Sequence, residues 1–186
     1  MMKKKSLALF DLDGTLFDTN EVNYYAYRDA LAAFGVKLDR EYFITECNGR
    51  HYTEFLPVIM KGTKHIEEVH KAKKDAYTKN LDKARINAHL FAMIKVMKTT
   101  YHVAIVTTAS KKNVLDILSY FGFSDFFDYI VTQDDITKIK PDPQGFEIAM
   151  KYFGAAPEDT IIFEDSEVGI TAAKATGATV MAVKKF

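Results

Sequence analysis

The chain has 186 residues, enough for one domain or one domain carrying an insertion. At that length about 70% of the unfolded surface can be buried, so no covalent staple is required. Its 25 Lys and Arg balance its 25 Asp and Glu, which argues against nucleic acid or membrane as a partner. The single cysteine, Cys47, excludes an intramolecular disulfide and fits a reducing compartment.

The basic start, "MMKKKSLALFDLDG", has an apolar run that Asp11 breaks, too short for the hydrophobic region of a signal peptide. No stretch approaches the run of about 18 apolar residues needed for a membrane span. A cytoplasmic protein is therefore expected.

The first predicted element is the strand Leu7 to Phe10, apolar without alternation and so buried on both faces. Two aspartates follow it, Asp11 and Asp13, then Gly14 and Thr15. Like charges so close raise each other's pKa unless something compensates them.

From Asn20 to about Leu90 the pattern is helical almost throughout and holds no convincing strand. This segment is expected to be a helical insertion, a cap, with joints near Leu16 to Thr19 and near Asn87 to Phe91. Four further apolar runs read as buried strands: His102 to Thr107, Tyr129 to Val131, Thr160 to Asp165 and Ala178 to Val183. Helical patterns separate them, Lys111 to Phe121, Pro143 to Phe153 and Glu167 to Thr176, with Gly122, Gly154 and Gly177 as C-terminal stops. Such alternation predicts an α/β fold, a parallel sheet with helices on both faces.

Ligands of open α/β sheets sit beyond the carboxyl ends of the strands. Those ends deliver Asp11 and Asp13, then Thr107 and Thr108 with Ser110 opening the next helix, then Lys140 ahead of Pro141, then Glu164 and Asp165. All-oxygen ligands without histidine or cysteine suit Mg²⁺, which bridges to substrate phosphate. Hydroxyls and N–H groups at the start of the helix after Ser110 form an anion site. A lysine can neutralise the charge on a phosphoryl group, and a carboxylate in line with it can act as a nucleophile.

At these residues the chain resembles the haloacid dehalogenase superfamily of hydrolases, in its branch with a helical cap, similar to β-phosphoglucomutase and phosphoglycolate phosphatase. "DLDGT" matches the first motif of that family, Thr107 the second, Lys140 the third and "FEDSEVGI" the fourth, in the family's order. The resemblance implies a Rossmann-like core of residues 1–16 and 91–186, with a cap of residues 17–90 inserted after the first strand. It implies that Asp11 is the nucleophile, Asp13 the general acid and base, and Thr107 and Lys140 their catalytic companions. Mg²⁺ would be held by Asp11, the Asp13 carbonyl and Asp165, with Glu164 beside them or acting through water. Thr108 joins the substrate-binding set.

Within the cap, "ECNGRHY" places Gly49 and Arg50 where caps of this family present a substrate loop. Arg50 either grips a polar or anionic group there or is a solvated surface arginine. The stretch from Lys61 to Arg85, with eight Lys and Arg against four Asp and Glu, reads as a solvated helix face. Tyr24, Tyr25 and Tyr27 read as packing, and Cys47 as inert.

The expected activity is that of a Mg²⁺-dependent phosphatase acting on a small phosphorylated metabolite through an aspartyl-phosphate. Two alternatives stand beside it: a sugar-phosphate mutase, against which Asn23 replaces the cap histidine of those enzymes, and a non-catalytic binding module on the same fold. Many relatives continue beyond the fifth strand where this sequence stops, so a monomer or a homodimer covering that sheet edge is expected.

Overall fold

The computed structural model describes residues 6–184 and 186. The contacts divide these residues into two compact units, one running to Asp18 and resuming at Arg85, the other spanning Thr19–Ala84.

In the first unit, β1 (Ser6–Phe10) leads through a tight turn into the short strand β2 (Phe17–Asp18). The second unit carries α1 (Asn20–Ala32), α2 (Arg40–Tyr42) continuing into a π-turn at Phe43–Cys47, α3 (Tyr52–Ile59) and α4 (Ile66–Lys79). The first unit then resumes with β3 (Arg85–Ile86), α5 (Ala88–Met97), β4 (Tyr101–Val106), α6 (Lys111–Tyr120) and β5 (Tyr129–Val131). It ends with α7 (Gln144–Phe153), β6 (Thr160–Glu164), α8 (Glu167–Ala175) and β7 (Thr179–Ala182).

Five strands form one parallel sheet in the order β5-β4-β1-β6-β7. β1 is its centre, and Leu7 to Phe10 are fully buried. Leu7 and Leu9 face a core with Ala104, Val106, Ile162, Phe146, Ala149 and Ala172. Phe10 stacks on Phe163, centroids 4.7 Å apart, and meets Phe127 at 6.3 Å. The chain first builds outward from β1 to β5, then returns to the other side of β1 for β6 and β7. That reversal opens a crevice at the carboxyl end of β1, where Asp11 lies.

Two expectations need correction. Ala178 to Val183 does not form a buried strand: β7 pairs only with β6, and Thr179, Met181 and Ala182 are exposed. An edge strand needs an apolar side chain only on its covered face, and the run of small and β-branched residues did not reveal that difference. The region up to Leu90 also does contain a strand, since β3 pairs antiparallel with β2, Phe17 opposite Ile86 and Asp18 opposite Arg85. A ribbon of two residues per strand is below the length at which periodicity is visible. It lies in the first unit directly beside the two positions where the chain passes between units, 18/19 and 84/85.

Helix ends follow local chemistry. Ser110 and Ser166 cap α6 and α8 by accepting from Asn113 N and Gly169 N. Gly154 closes α7 in the left-handed conformation, φ 57°, which costs glycine least.

The second unit has its own core of Tyr27, Leu31, Phe43, Phe55, Leu56 and Val69. Tyr27 meets Phe55 edge-on at 5.1 Å. Cys47 is 1% exposed, and burial pushes its thiol up, away from the reactive thiolate. The basic stretch is not wholly a solvated face: Lys73 is buried, its ammonium 5.1 Å from the Tyr27 ring centre and 5.0 Å from that of Tyr77.

Candidate active site

The crevice at the end of β1 draws side chains from four segments of the first unit. Asp11 leaves the strand with its backbone still in the ladder, Asp11 N donating to Phe163 O at 3.0 Å. Thr107 is held in the same way, donating through its N–H to Val131 O at 3.0 Å. Both residues are thus fixed by the sheet although each lies one position beyond its strand.

Lys140 comes from the loop between β5 and α7. Its ammonium donates to Asp11 Oδ1 at 2.6 Å, Glu164 Oε1 at 2.5 Å and the Val106 carbonyl at 3.2 Å. The Lys140 and Asp11 side chains are each 9% exposed and that of Glu164 1%. Burial pushes the Asp11 carboxyl well up; the Lys140 ammonium opposes this, and Glu164 adds to it. For Lys140 itself burial disfavours the ammonium, but Asp11 and Glu164 outweigh it and hold the pKa above the ordinary lysine value.

Glu164 closes β6, and its second oxygen is also engaged. Ser166 donates to Glu164 Oε2 through its N–H at 2.9 Å and its hydroxyl at 3.0 Å. Asp165 turns to the rim of the sheet and is open to solvent, yet its carboxylate lies against the backbone of the first loop. Thr15 donates its hydroxyl to Asp165 Oδ1 at 3.0 Å. Burial of that carboxylate and, next, the nearby Glu164 push its pKa up to about 6.

Gly14 makes this approach possible. Its φ is 87°, and a Cβ there would stand 2.2 Å from Asp165 Oδ2. The turn that carries Asp13 is tied by Gly14 N donating to Phe17 O at 2.7 Å. Asn87 supports it from the other side, donating to Thr15 O at 3.1 Å while accepting from Leu90 N.

Asp11, Glu164 and Asp165 each bring a carboxylate oxygen within 4.8 Å of the others. They are the one such acid, histidine or cysteine group among the described residues. The three carboxylates carry more negative charge than the Lys140 ammonium offsets, and burial first, then the neighbouring Glu164, raises the pKa of Asp11 and of Asp165. The donor set is oxygen only, as a hard divalent cation requires. Asp13 is half-buried on the turn between Asp11 and Gly14 and contributes no carboxylate oxygen to that cluster.

The second segment presents hydroxyls. Thr107 is 2% exposed and its Oγ1 accepts from Ala109 N at 3.1 Å, while Thr108 is exposed. A cavity beside them is lined by Thr107, Thr108, Lys138, Lys140 and Phe146. Gly49 and Arg50 belong to the other unit, where the Arg50 guanidinium donates to Glu54 at 3.1 Å and to the Glu46 carbonyl at 3.0 Å.

Sequence reasoning missed Ser166, Thr15 and Asn87. Ser166 had a legible signal, a serine opening a helix directly after two acids. Thr15 and Asn87 had none, because their roles depend on which loops meet.

A model of the haloacid dehalogenase-like hydrolase family matches residues 8–183. The chain belongs to this family. A pyrophosphatase, PpaX, of Halalkalibacterium halodurans is 31% identical over 172 residues, covering 91% of this chain and 79% of the relative. A phosphorylated carbohydrates phosphatase of Thermotoga maritima is 27% identical over 177 residues, covering 91% and 80%. Among solved structures, CbbY from Rhodobacter sphaeroides in complex with phosphate superposes with a TM-score of 0.83 at 26% identity, covering 98% of this chain and 87% of that one. The protein is therefore an enzyme of a hydrolase family. Among the described residues no helix is long and apolar enough to cross a membrane.

Proposed function

We propose that this haloacid dehalogenase-like hydrolase is a Mg²⁺-dependent phosphatase of a small phosphorylated metabolite, working through an aspartyl-phosphate on Asp11. The observation that carries the reading is the buried contact of Lys140 with both Asp11 and Glu164 beside the solvent-facing Asp165. Relatives named for phosphorylated carbohydrates and for pyrophosphate support the substrate class.

In this reading Asp11 Oδ2 attacks phosphorus, since Oδ1 is occupied by Lys140. The bond from phosphorus to the ester oxygen breaks, and Asp13 gives its proton to the leaving alkoxide. Asp13 then takes a proton from water, the hydroxide attacks the phosphoryl group, and orthophosphate leaves Asp11 as a carboxylate. Lys140 neutralises charge on the phosphoryl oxygens, and Thr107, with Thr108, positions them. Asp11, the Asp13 carbonyl and Asp165 would hold Mg²⁺, with Glu164 next to them. When bound, the ion supplies charge neutralisation at the carboxylates and at the substrate phosphate. Recognition of the leaving group is assigned to the Gly49–Arg50 loop, as the family resemblance implies.

The test is phosphate release from a panel of phosphorylated metabolites, β-glucose 1-phosphate among them, with Mg²⁺ or with a chelator. Release is expected with Mg²⁺ only, and Asp11→Asn should abolish it while leaving the fold intact. Turnover in Asp11→Asn within about tenfold of the wild type would refute the nucleophile.

A further inference from the structure

Glu164 sits in a built seat that the proposed chemistry does not by itself require. Its Oε2 accepts two hydrogen bonds from one residue, Ser166, at 2.9 Å from the N–H and 3.0 Å from the hydroxyl. The same hydroxyl oxygen accepts from Gly169 N at 3.1 Å, so the first turn of α8 holds Ser166 while Ser166 holds the carboxylate. Gly169 is buried, and a Cβ added to it would stand 1.9 Å from Glu164 Oε1, 2.0 Å from Cδ and 2.3 Å from Oε2. The carboxylate therefore occupies the space that any side chain at position 169 would fill. Its remaining oxygen, Oε1, is turned onto Lys140 at 2.5 Å, and Lys140 reaches Asp11.

We propose that Ser166 and Gly169 are positioning residues of the reaction: they seat the Glu164 carboxylate on α8 so that it holds the Lys140 ammonium against Asp11. The physical case is one of directed charge. A buried carboxylate with a free torsion would swing toward whichever cation or N–H it could find, and Lys140 would follow it. Two donors on Oε2 and close packing at Gly169 remove that freedom, leaving Oε1 a single direction. A glycine is unfavourable inside a helix, where alanine would serve better by about 1 kcal/mol. Its presence at position 169 is explained by the carboxylate and not by the helix.

The inference rests on the reading of Asp11 and Lys140 as reacting groups, and the experiment separates the two. Gly169→Ala improves the helix but evicts the end of a flexible side chain, so the backbone should stay and the carboxylate should move. Ser166→Asp keeps the cap on Gly169 N but replaces the hydroxyl donor by a second negative charge. Ser166→Thr keeps both cap and donor.

Phosphate release, KM and thermal midpoint are measured with Mg²⁺ for all three, with Asp11→Asn alongside. Gly169→Ala and Ser166→Asp should lose kcat by about tenfold or more at a temperature well below each variant's thermal midpoint, with KM close to wild type and with Ser166→Thr retaining the rate. If both variants keep kcat within about twofold, or lose it only at temperatures where they unfold, the seat is structural and the proposal fails. If Asp11→Asn itself turns over, the reading of the site fails instead.

Discussion

Lys140 and Glu164 form an ion pair, Nζ to Oε1 at 2.5 Å, in which the side chains are 9% and 1% exposed. A pair of this kind is costly to break from one side, because the surviving charge keeps its desolvation penalty and loses its compensation. At this site two carboxylates depend on one ammonium, since Asp11 shares it.

Lys140→Met should therefore remove turnover and also cost stability, by about 3 kcal/mol or more at neutral pH. Adding Glu164→Gln in the same chain removes one of the stranded charges. The double variant should regain part of the denaturation midpoint but none of the activity. A double variant no more stable than Lys140→Met would show that the two groups are not coupled.

Asp165 sets a pH dependence in the absence of metal. Its folded pKa is pushed from 3.8 up to about 6, so the folded chain keeps a proton that the unfolded chain has lost. Stability from this group is fully present below about pH 4 and is lost as the pH rises through about 6. With a chelator present, the thermal midpoint of the wild type should fall across that window relative to Asp165→Asn. Added Mg²⁺ at neutral pH should raise the midpoint of the wild type and not of the variant. Parallel curves for the two proteins would remove Asp165 from the cation site.

Gly14→Ala combines two penalties at one position. The positive φ of 87° disfavours any Cβ, and that Cβ would collide with Asp165 Oδ2. Stability should fall by about 1–2 kcal/mol. Displacing the carboxylate from the Thr15 hydroxyl should weaken Mg²⁺ binding by about tenfold or more, measured by calorimetry. Unchanged affinity would mean that Asp165 adjusts without loss, or does not bind the ion.

Arg50 tests the assignment of substrate recognition to the helical unit. Its guanidinium is half exposed and held by Glu54 and the Glu46 carbonyl, an arrangement that presets its direction at little energetic gain. Arg50→Ala should cost about 2–4 kcal/mol in kcat/KM for the best substrate of the metabolite panel. For p-nitrophenyl phosphate, whose leaving group offers nothing to a guanidinium, the change should do little. Equal losses on both substrates would assign Arg50 to folding or closure, and no loss on either to the surface.

The sequence by itself determined the parallel α/β core and the order of its strands along the chain. Runs such as Leu7 to Phe10 and Ile161 to Phe163 can be satisfied only inside a sheet, and the acids and hydroxyls after them can be satisfied only at its rim. That logic is local: an apolar run ends, and a polar residue follows. It singled out Asp11, Thr107, Lys140, Glu164 and Asp165 as candidates because each sits at or just beyond a strand end or in the loop after one. It also explains the failures, since β7 has the composition of a buried strand and the neighbours of an edge, and composition carries no information about neighbours. Only the tertiary structure decided how the acids divide their labour. Glu164 and Asp165 are adjacent and chemically alike, yet Glu164 is the last residue of β6 and buried, while Asp165 lies one position beyond the strand and is exposed. One carboxylate is thus enclosed with Lys140 and Ser166, and the other is left at the rim with Thr15. The glycines follow the same rule: position 14 and position 169 are glycine because a carboxylate distant in the chain at one, and five residues back at the other, fills the space of a Cβ.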